Sequence, residues 1–65
     1  MKIVVNGAVH ETAAPQLSGV LGELGLGDAV VSTAVNGEFV AASVRASTPL
    51  SDGDRVEVLA PMQGG

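Results

Sequence analysis

The sequence predicts an α+β fold in which one helix covers one face of a β-sheet. Two Asn-Gly pairs, at positions 6–7 and 36–37, each separate short apolar runs, as in β-hairpins with two-residue turns. Between the two hairpins the apolar residues change to a helical period, and a last alternating run approaches position 60. The predicted order of elements is therefore ββαβββ or close to it.

The first predicted hairpin covers the sequence MKIVVNGAVHET. Asn-Gly is the preferred pair for a type I′ turn, because both central residues of that turn need a positive φ. A two-residue turn at positions 6–7 pairs Val5 with Ala8. The side chains that then share one face of the hairpin are Ile3, Val5, Ala8, His10 and Thr12.

The segment PQLSGVLGELGL predicts the helix. Four apolar residues recur at the spacing i, i+3, i+4 and i+7, which places them on one helical face. Pro15 suits the first helical turn, and Gly25 suits the left-handed position after the last turn. Gly19 and Gly22 each cost about 1 kcal/mol relative to alanine inside a helix; they either permit close packing or weaken the helix. The apolar face consists of Leu17, Val20, Leu21 and Leu24.

The segment AVVSTAVNGEFVA predicts the second hairpin. The following VRASTPLSDGD is predicted to be mostly irregular, with Leu50 as a lone apolar anchor and a turn at 52–54. The apolar helix face needs a partner, which the strands and this anchor can supply. The residues expected beneath the helix are Ile3, Val5, Leu50, Val56 and Val58.

The segment RVEVLA predicts the last strand. Its alternation directs the two valines inward and sends Glu57 and Leu59 to the exposed face. The strand should stop at Ala60, because the proline at position 61 cannot donate a hydrogen bond to a neighbouring strand. We therefore expect a folded domain over residues 1–60 and a flexible tail over residues 61–65.

The composition limits the possible functions. A chain of 65 residues forms one small domain, without room for an enclosed substrate cavity. A net charge of −4 and a single aromatic residue, Phe39, argue against nucleic acid as a partner. The lack of cysteine excludes disulfides and thiolate metal sites and fits a reducing cytoplasm. No apolar stretch is long enough for a membrane span, so we expect a cytoplasmic protein without a membrane partner.

The side chains contain no recognisable catalytic arrangement. His10 is the only histidine, which favours a structural or solvated role and excludes a histidine cluster around a metal. Asp52, Asp54 and Glu57 could act as paired carboxylates, but Asp-Gly-Asp before a strand is typical of a turn. No motif places a base beside a serine or threonine. We therefore predict no catalytic residue and no metal site.

The last five residues, PMQGG, suggest where the chemistry lies. Two glycines carry no side chains, so an extended carboxylate end can enter a narrow channel of a partner protein without clashing with its walls. Without cysteine, the chain cannot hold its own activated carboxyl group as an internal thioester. The terminus is therefore predicted to be the reactive group and to be activated by another protein.

The whole chain resembles the ubiquitin-like β-grasp sulfur carriers, most closely the family of thiamine-biosynthesis sulfur carriers. The resemblance rests on MKIVVNG at the start, LGELGL in the helix, AVNGEFV in the second hairpin and, most specifically, DGDRVEVLAPMQGG at the end. It implies one helix packed on a mixed sheet of four to five strands. The chain departs locally from the family pattern: Thr12 stands where a larger apolar residue is expected, and Gly19 and Gly22 thin the helix.

The resemblance also implies a carrier cycle in which the chain is a co-substrate and not an enzyme. An adenylating (E1-like) enzyme uses ATP to convert the Gly65 carboxylate to an acyl-adenylate, and a sulfurtransferase or cysteine desulfurase supplies persulfide sulfur in place of AMP. The resulting thiocarboxylate passes its sulfur to thiazole synthase. Gly64 is the side-chain-free approach, and Met62 and Gln63 lead into it. The carrier is expected to be a monomer when free and to bind no cofactor itself.

The exposed face of the last strand is the predicted contact surface for these partners. Leu59 lies just before the tail, with Met62 beyond it, so an enzyme that holds the terminus should also touch both. Glu57 and other acids are expected to give this surface an acidic rim, which a basic partner would complement. Leu59 could instead be one of the exposed apolar residues of any protein surface.

Other functions are compatible with the same sequence. The chain could be the small subunit of molybdopterin synthase, or a carrier for a pathway that forms cysteine or methionine. It could also be a ubiquitin-like modifier of lysines, or a β-grasp interaction module whose glycines are accidental. A mass increase from exchange of one oxygen for sulfur would indicate a carrier, and adducts on other proteins would indicate a modifier.

Overall fold

The computed structural model describes residues 1–60; the predicted tail, with Met62, Gln63, Gly64 and Gly65, lies outside the described residues. The sheet order is β2-β1-β5-β3-β4, so the last strand lies in the centre. It runs parallel to β1 and antiparallel to β3, which makes the sheet mixed. This is the predicted β-grasp fold. The elements are β1 Lys2–Val5, β2 Ala8–Glu11, α1 Leu17–Glu23, β3 Ser32–Val35, β4 Glu38–Val40, a 3₁₀ helix Ala42–Ser47 and β5 Arg55–Leu59.

Both predicted Asn-Gly hairpins are confirmed. Asn6 and Asn36 have φ angles of 49° and 51°, and the glycine after each has φ of 84°. Positive φ at both central positions is the requirement of the type I′ turn, which matches the twist of the flanking strands. The register agrees with two-residue turns, since Val5 pairs with Ala8 and Val35 pairs with Glu38.

The α-helix begins later than the sequence suggested. Gln16 is its N-cap and has an extended backbone, with φ −136° and ψ 165°. Pro15 therefore precedes the helix, and the prediction that it occupies the first turn is wrong. The physical reason is a tertiary contact, because the Pro15 carbonyl accepts a hydrogen bond from the Leu50 amide at 2.9 Å. The Leu17 amide, unpaired within the helix, donates to the Thr48 carbonyl at 3.0 Å.

The end of α1 follows the prediction for Gly25, which has φ of 76°. The Leu26 amide donates to the Leu21 carbonyl at 2.8 Å, and the Gly25 amide donates to the Gly22 carbonyl at 3.1 Å. This pair of bonds is the Schellman motif, which satisfies the last carbonyls of a helix and needs a left-handed residue.

The core lies between α1 and the inner face of the sheet. Leu17, Val20 and Leu21 are buried, as predicted, and Leu24 packs at the margin. Val40 on β4 also joins the core, which extends it beyond the residues expected from the sequence. The buried apolar cluster consists of Ile3, Leu17, Val20, Val40, Leu50 and Val56, with Val5, Ala14, Leu24, Val35 and Val58 packed against it.

Residues 42–47 form a 3₁₀ helix where the sequence predicted irregular chain. None of its residues is buried, so it has no apolar periodicity that could have indicated it. Arg45 ties it to β3, because its Nε donates to the Thr33 hydroxyl at 2.9 Å and its Nη2 donates to the Val31 carbonyl at 2.6 Å. The buried Thr33 hydroxyl in turn donates to the Val40 carbonyl at 2.8 Å.

The two glycines within α1 have different surroundings. A Cβ at Gly19 would lie 2.7 Å from the Ala14 Cβ, far inside normal contact distance, whereas a Cβ at Gly22 would meet nothing within 4 Å. Gly19 is therefore a packing residue that lets the β2–α1 connection approach the helix. Gly22 permits no close contact and weakens the helix.

We predict opposite effects for two identical substitutions. Gly22→Ala should raise the free energy of unfolding by up to about 1 kcal/mol, because alanine has the higher helix propensity. Gly19→Ala should lower it, because its methyl group would collide with Ala14. Urea unfolding of both variants beside the unsubstituted chain measures the two changes. A stabilised Gly19→Ala variant would contradict the packing role.

Candidate partner-binding face and chain exit

The central strand β5 divides its side chains between the two faces of the sheet. Val56 is 1% exposed and lies in the core, and Val58 packs against the core. Glu57 is exposed on the opposite face, and Leu59 is 68% exposed there. The predicted alternation of the strand is thus confirmed. Contact of Glu57 and Leu59 with a partner stays a prediction.

A second large apolar side chain lies beside Leu59. Phe39 on β4 is 74% exposed, and Ala34 on β3 pairs with Phe39 on one side and with Glu57 on the other. Together with Ser32 and Thr33, these residues line a shallow depression. We call Ala34, Phe39 and Leu59 the outer patch. Phe39 was not predicted as a site residue, although its alternation with the inward Val40 could have indicated its exposure on this face.

The sheet face that carries the outer patch has charges of both signs. The outward positions of the strands carry Lys2 and Arg55 as well as Glu11 and Glu57, as the strand register and the buried neighbours show. Both signs are therefore present on the sheet face as a whole, while Glu57 is the charged residue that lines the depression of the outer patch, and the acidic rim stays a prediction. The other five acids of the chain lie on loops, on the helix or at the inner edge of β4.

Both ends of β5 are held by asparagine side chains from the two hairpin turns. The Val58 amide donates to Asn6 Oδ1 at 2.8 Å, and Asn6 Nδ2 donates to the Val58 carbonyl at 3.0 Å. At the start of the strand, the Arg55 amide donates to Asn36 Oδ1 at 2.9 Å. Neither contact was predicted, because an Asn-Gly pair indicates the turn and not the target of its side chain.

The Asp-Gly-Asp segment is confirmed as a turn, with Gly53 at φ 87°. Its carboxylates act as acceptors for main-chain amides: Asp52 Oδ1 accepts from Lys2 at 2.8 Å, and Asp54 Oδ2 accepts from Ser51 at 2.8 Å. These bonds join the turn to β1 and close it locally. The turn interpretation therefore accounts for both carboxylates without acid–base chemistry.

His10 belongs to a small polar cluster at the end of α1. Glu23 Oε1 lies 3.1 Å from His10 Nε2 and accepts a 2.6 Å hydrogen bond from the buried Thr12 hydroxyl. The Ala13 amide donates to Glu23 Oε2 at 3.2 Å. The hydrogen bond from Thr12, and then that from His10, lower the pKa of Glu23 below its ordinary value of 4.5. Thr12 thus replaces the expected apolar residue with a satisfied hydroxyl that ties β2 to α1.

The lowered pKa of Glu23 predicts a pH-dependent contribution to stability. A carboxyl group with a lower pKa in the folded state stabilises the fold above its unfolded pKa, and this contribution is lost as the pH falls through the folded pKa. Glu23→Gln should therefore be less stable than the unsubstituted chain near neutral pH. The difference should shrink as the pH falls below 4.5. Urea unfolding of both proteins across this range measures it, and a difference independent of pH would contradict the prediction.

Neither a metal centre nor a membrane segment is found in the part of the chain that the structure describes. Among residues 1–60, no group of three or more potential ligand side chains could hold a metal ion. None of the helices in this range has the length and apolar character needed to span a membrane.

The fold and the exposed sheet face define a small ubiquitin-like β-grasp protein. The model of the ThiS family matches residues 3–65, and the chain belongs to that family of sulfur carriers. The crystal structure of the thiamine biosynthesis protein ThiS from Geobacter metallireducens is similar, with a TM-score of 0.83, 32% identity and full coverage of both chains.

An NMR solution structure of a thiamine biosynthesis protein from Geobacter metallireducens is also similar. It has a TM-score of 0.77 and 29% identity, and the match covers 100% of this chain and 88% of that chain. No curated protein matches the chain significantly. The family predicted from the sequence is thus confirmed by both its family model and its fold.

Proposed function

We propose that this protein carries sulfur for the synthesis of the thiamine thiazole as a thiocarboxylate on Gly65. The observation that carries the proposal is the match to the ThiS family over residues 3–65, which includes the Gly-Gly end. The similarity to a thiamine biosynthesis protein over the full chain supports the thiamine pathway as the destination. In this proposal the protein is a co-substrate, and its partners perform the catalysis.

The proposed cycle has one bond exchange at the α-phosphorus of ATP and a second at the terminal carbonyl carbon. The Gly65 carboxylate attacks the α-phosphorus of ATP in an adenylating enzyme, which releases pyrophosphate and leaves an acyl-adenylate. A persulfide sulfur from a sulfurtransferase or cysteine desulfurase then bonds to the carbonyl carbon as AMP leaves. A second thiol of the donor then attacks the donor's own sulfur, forms a disulfide with it, and releases the thiocarboxylate that thiazole synthase consumes. ATP is bound by the partner, and its use fits the proposed cytoplasmic location.

The outer patch is the proposed contact surface for the adenylating enzyme. Leu59 precedes Gly65 by six residues, and an extended chain of that length spans only about 20 Å. An enzyme that holds Gly65 in its active site therefore has its surface within about 20 Å of Leu59. Exposed aromatic and aliphatic side chains such as Phe39 and Leu59 are the anchors that protein interfaces favour.

Removal of Gly65 tests the reactive terminus. The shortened chain should fold as before, since residues 1–60 contain the whole described core. Thiocarboxylate formation should be lost, because the reacting carbon would lie one residue short of the partner's active site. Intact mass after incubation with the adenylating enzyme, ATP and a sulfur donor measures it. Normal loading of the shortened chain would overturn the carrier proposal.

Leu59→Asp tests the contact surface. We expect the apparent KM of the adenylating enzyme for this protein to rise about tenfold or more, as for loss of an interface anchor. Val9→Asp is the matched control, because Val9 is 72% exposed on β2 at the far edge of the same sheet. Both variants should keep the folded circular dichroism spectrum. Equal KM values for the two variants would show that the adenylating enzyme does not contact the outer patch.

The same reactions distinguish the alternative destinations of the terminus. Replacement of one oxygen by sulfur, followed by sulfur transfer to thiazole synthase, is the result expected for the proposal. Transfer only to a molybdopterin precursor, or adducts on lysines of other proteins, would assign the chain to a different role.

A further inference from the structure

The Asn6 side chain continues the hydrogen-bond ladder of β1 after that strand has ended. β1 pairs with β5 up to the contact of Val5 with Val56, and the Asn6 amide donates to the Val56 carbonyl at 2.9 Å. The chain then turns away into β2. At the next position of the ladder, Asn6 Oδ1 and Nδ2 bond the amide and carbonyl of Val58 at 2.8 and 3.0 Å. The carboxamide thus takes the place of a peptide group in the parallel ladder.

Within residues 1–60, this contact is the last hydrogen-bonded support of β5 on its β1 side. Successive residues of a strand direct their main-chain groups to alternate neighbours, and those of Val58 are directed to β1. Without the Asn6 carboxamide, the Val58 groups would lose their protein partners, and the β1 edge of β5 would end at Val56. Leu59 would still face Ser32 on β3. Ala60, where the described chain ends, follows directly.

We propose that Asn6 is a positioning residue that fixes the point and direction in which the chain leaves the sheet. This inference rests on the proposed function, in which a partner must receive the terminus at a set distance from the outer patch. If Val58 is released on one side, β5 is held on its β1 side only up to Val56, and the direction in which the chain leaves the sheet at Ala60 varies. Reaction at the terminus then requires more ordering, which slows a step that depends on oriented groups.

The two hairpin turns supply a matched pair of variants. Asn6→Gly and Asn36→Gly both keep the type I′ turn, because glycine adopts the positive φ of 49° and 51° found at these positions. Each variant loses a carboxamide that bonds the main chain of β5; Asn36→Gly also loses the hydrogen bond that Asn36 Nδ2 donates to Asp54 Oδ1 at 3.0 Å. Asn36 holds Arg55, at the far end of the strand from the exit. The pair therefore separates loss of a strand contact from loss of the contact at the exit.

The test combines loading kinetics with amide hydrogen exchange of the full chain. For Asn6→Gly we expect kcat of adenylation to fall about 3- to 10-fold, the range for losing one or two net hydrogen bonds at an exposed site. KM should stay unchanged, because the outer patch is intact. Exchange at the Val58 amide should accelerate. Asn36→Gly should load with the kcat of the unsubstituted chain and should accelerate exchange at the Arg55 amide instead.

Several results would overturn the inference. A wild-type kcat for Asn6→Gly, or an equal loss of kcat in Asn36→Gly, would reduce Asn6 to a structural role. If Asn6→Gly does not fold, Asn6→Asp keeps the Oδ1 acceptor and removes the Nδ2 donor, and kcat must then fall below that of the unsubstituted chain. Failure of the unsubstituted chain to load at all would contradict the proposed function. Faster exchange of the Val58 amide in Asn6→Gly would still show that Asn6 holds the end of β5.

Discussion

The structure depends on the insertion of the last strand into the middle of the sheet. β5 bonds to β1 on one side and to β3 on the other, and its Val56 side chain lies buried in the core. The two hairpins have no direct pairing with each other, so β5 is what joins them into one sheet. The pairing of β5 with the distant strand β1 is opposed by loop-closure entropy. Apolar contacts of β5 with both hairpins and the helix must offset this cost.

Side-chain hydrogen bonds hold the connections that the small core does not cover. Glu23 joins the end of α1 to the β2–α1 connection through Thr12, and Arg45 joins the 3₁₀ helix to β3 through Thr33. In both cases a buried hydroxyl is the intermediate. Among residues 1–60, every buried side-chain nitrogen or oxygen has a hydrogen-bond partner. A domain of this size buries a limited apolar area, so side-chain hydrogen bonds stabilise connections that apolar packing does not reach.

Features with local causes were predictable from the sequence, and features with distant causes were not. The turns at Asn6 and Asn36, the helix face and the left-handed Gly25 each follow from a few neighbouring residues. The start of α1 after Pro15 and the hydrogen bonds of Asn6 to Val58 depend on tertiary contacts; Asn6 and Val58 are 52 positions apart. The outer patch lies between these cases, because alternation predicted the exposure of Leu59, but only the strand order brings Phe39 beside it.

Alternate side chains of β5 face the core and the exposed side of the sheet. Val56 faces the core and Glu57 faces away from it, so substitutions at the two positions act on different properties. An outward change at Leu59 removes no core contact, whereas the strand itself stays fixed by the core and by its two neighbours. Outward residues of β5 can therefore change without loss of core packing. Under the proposed function, the fold would set the point where the chain leaves the sheet, and the exposed side chains would select the enzyme that receives the terminus.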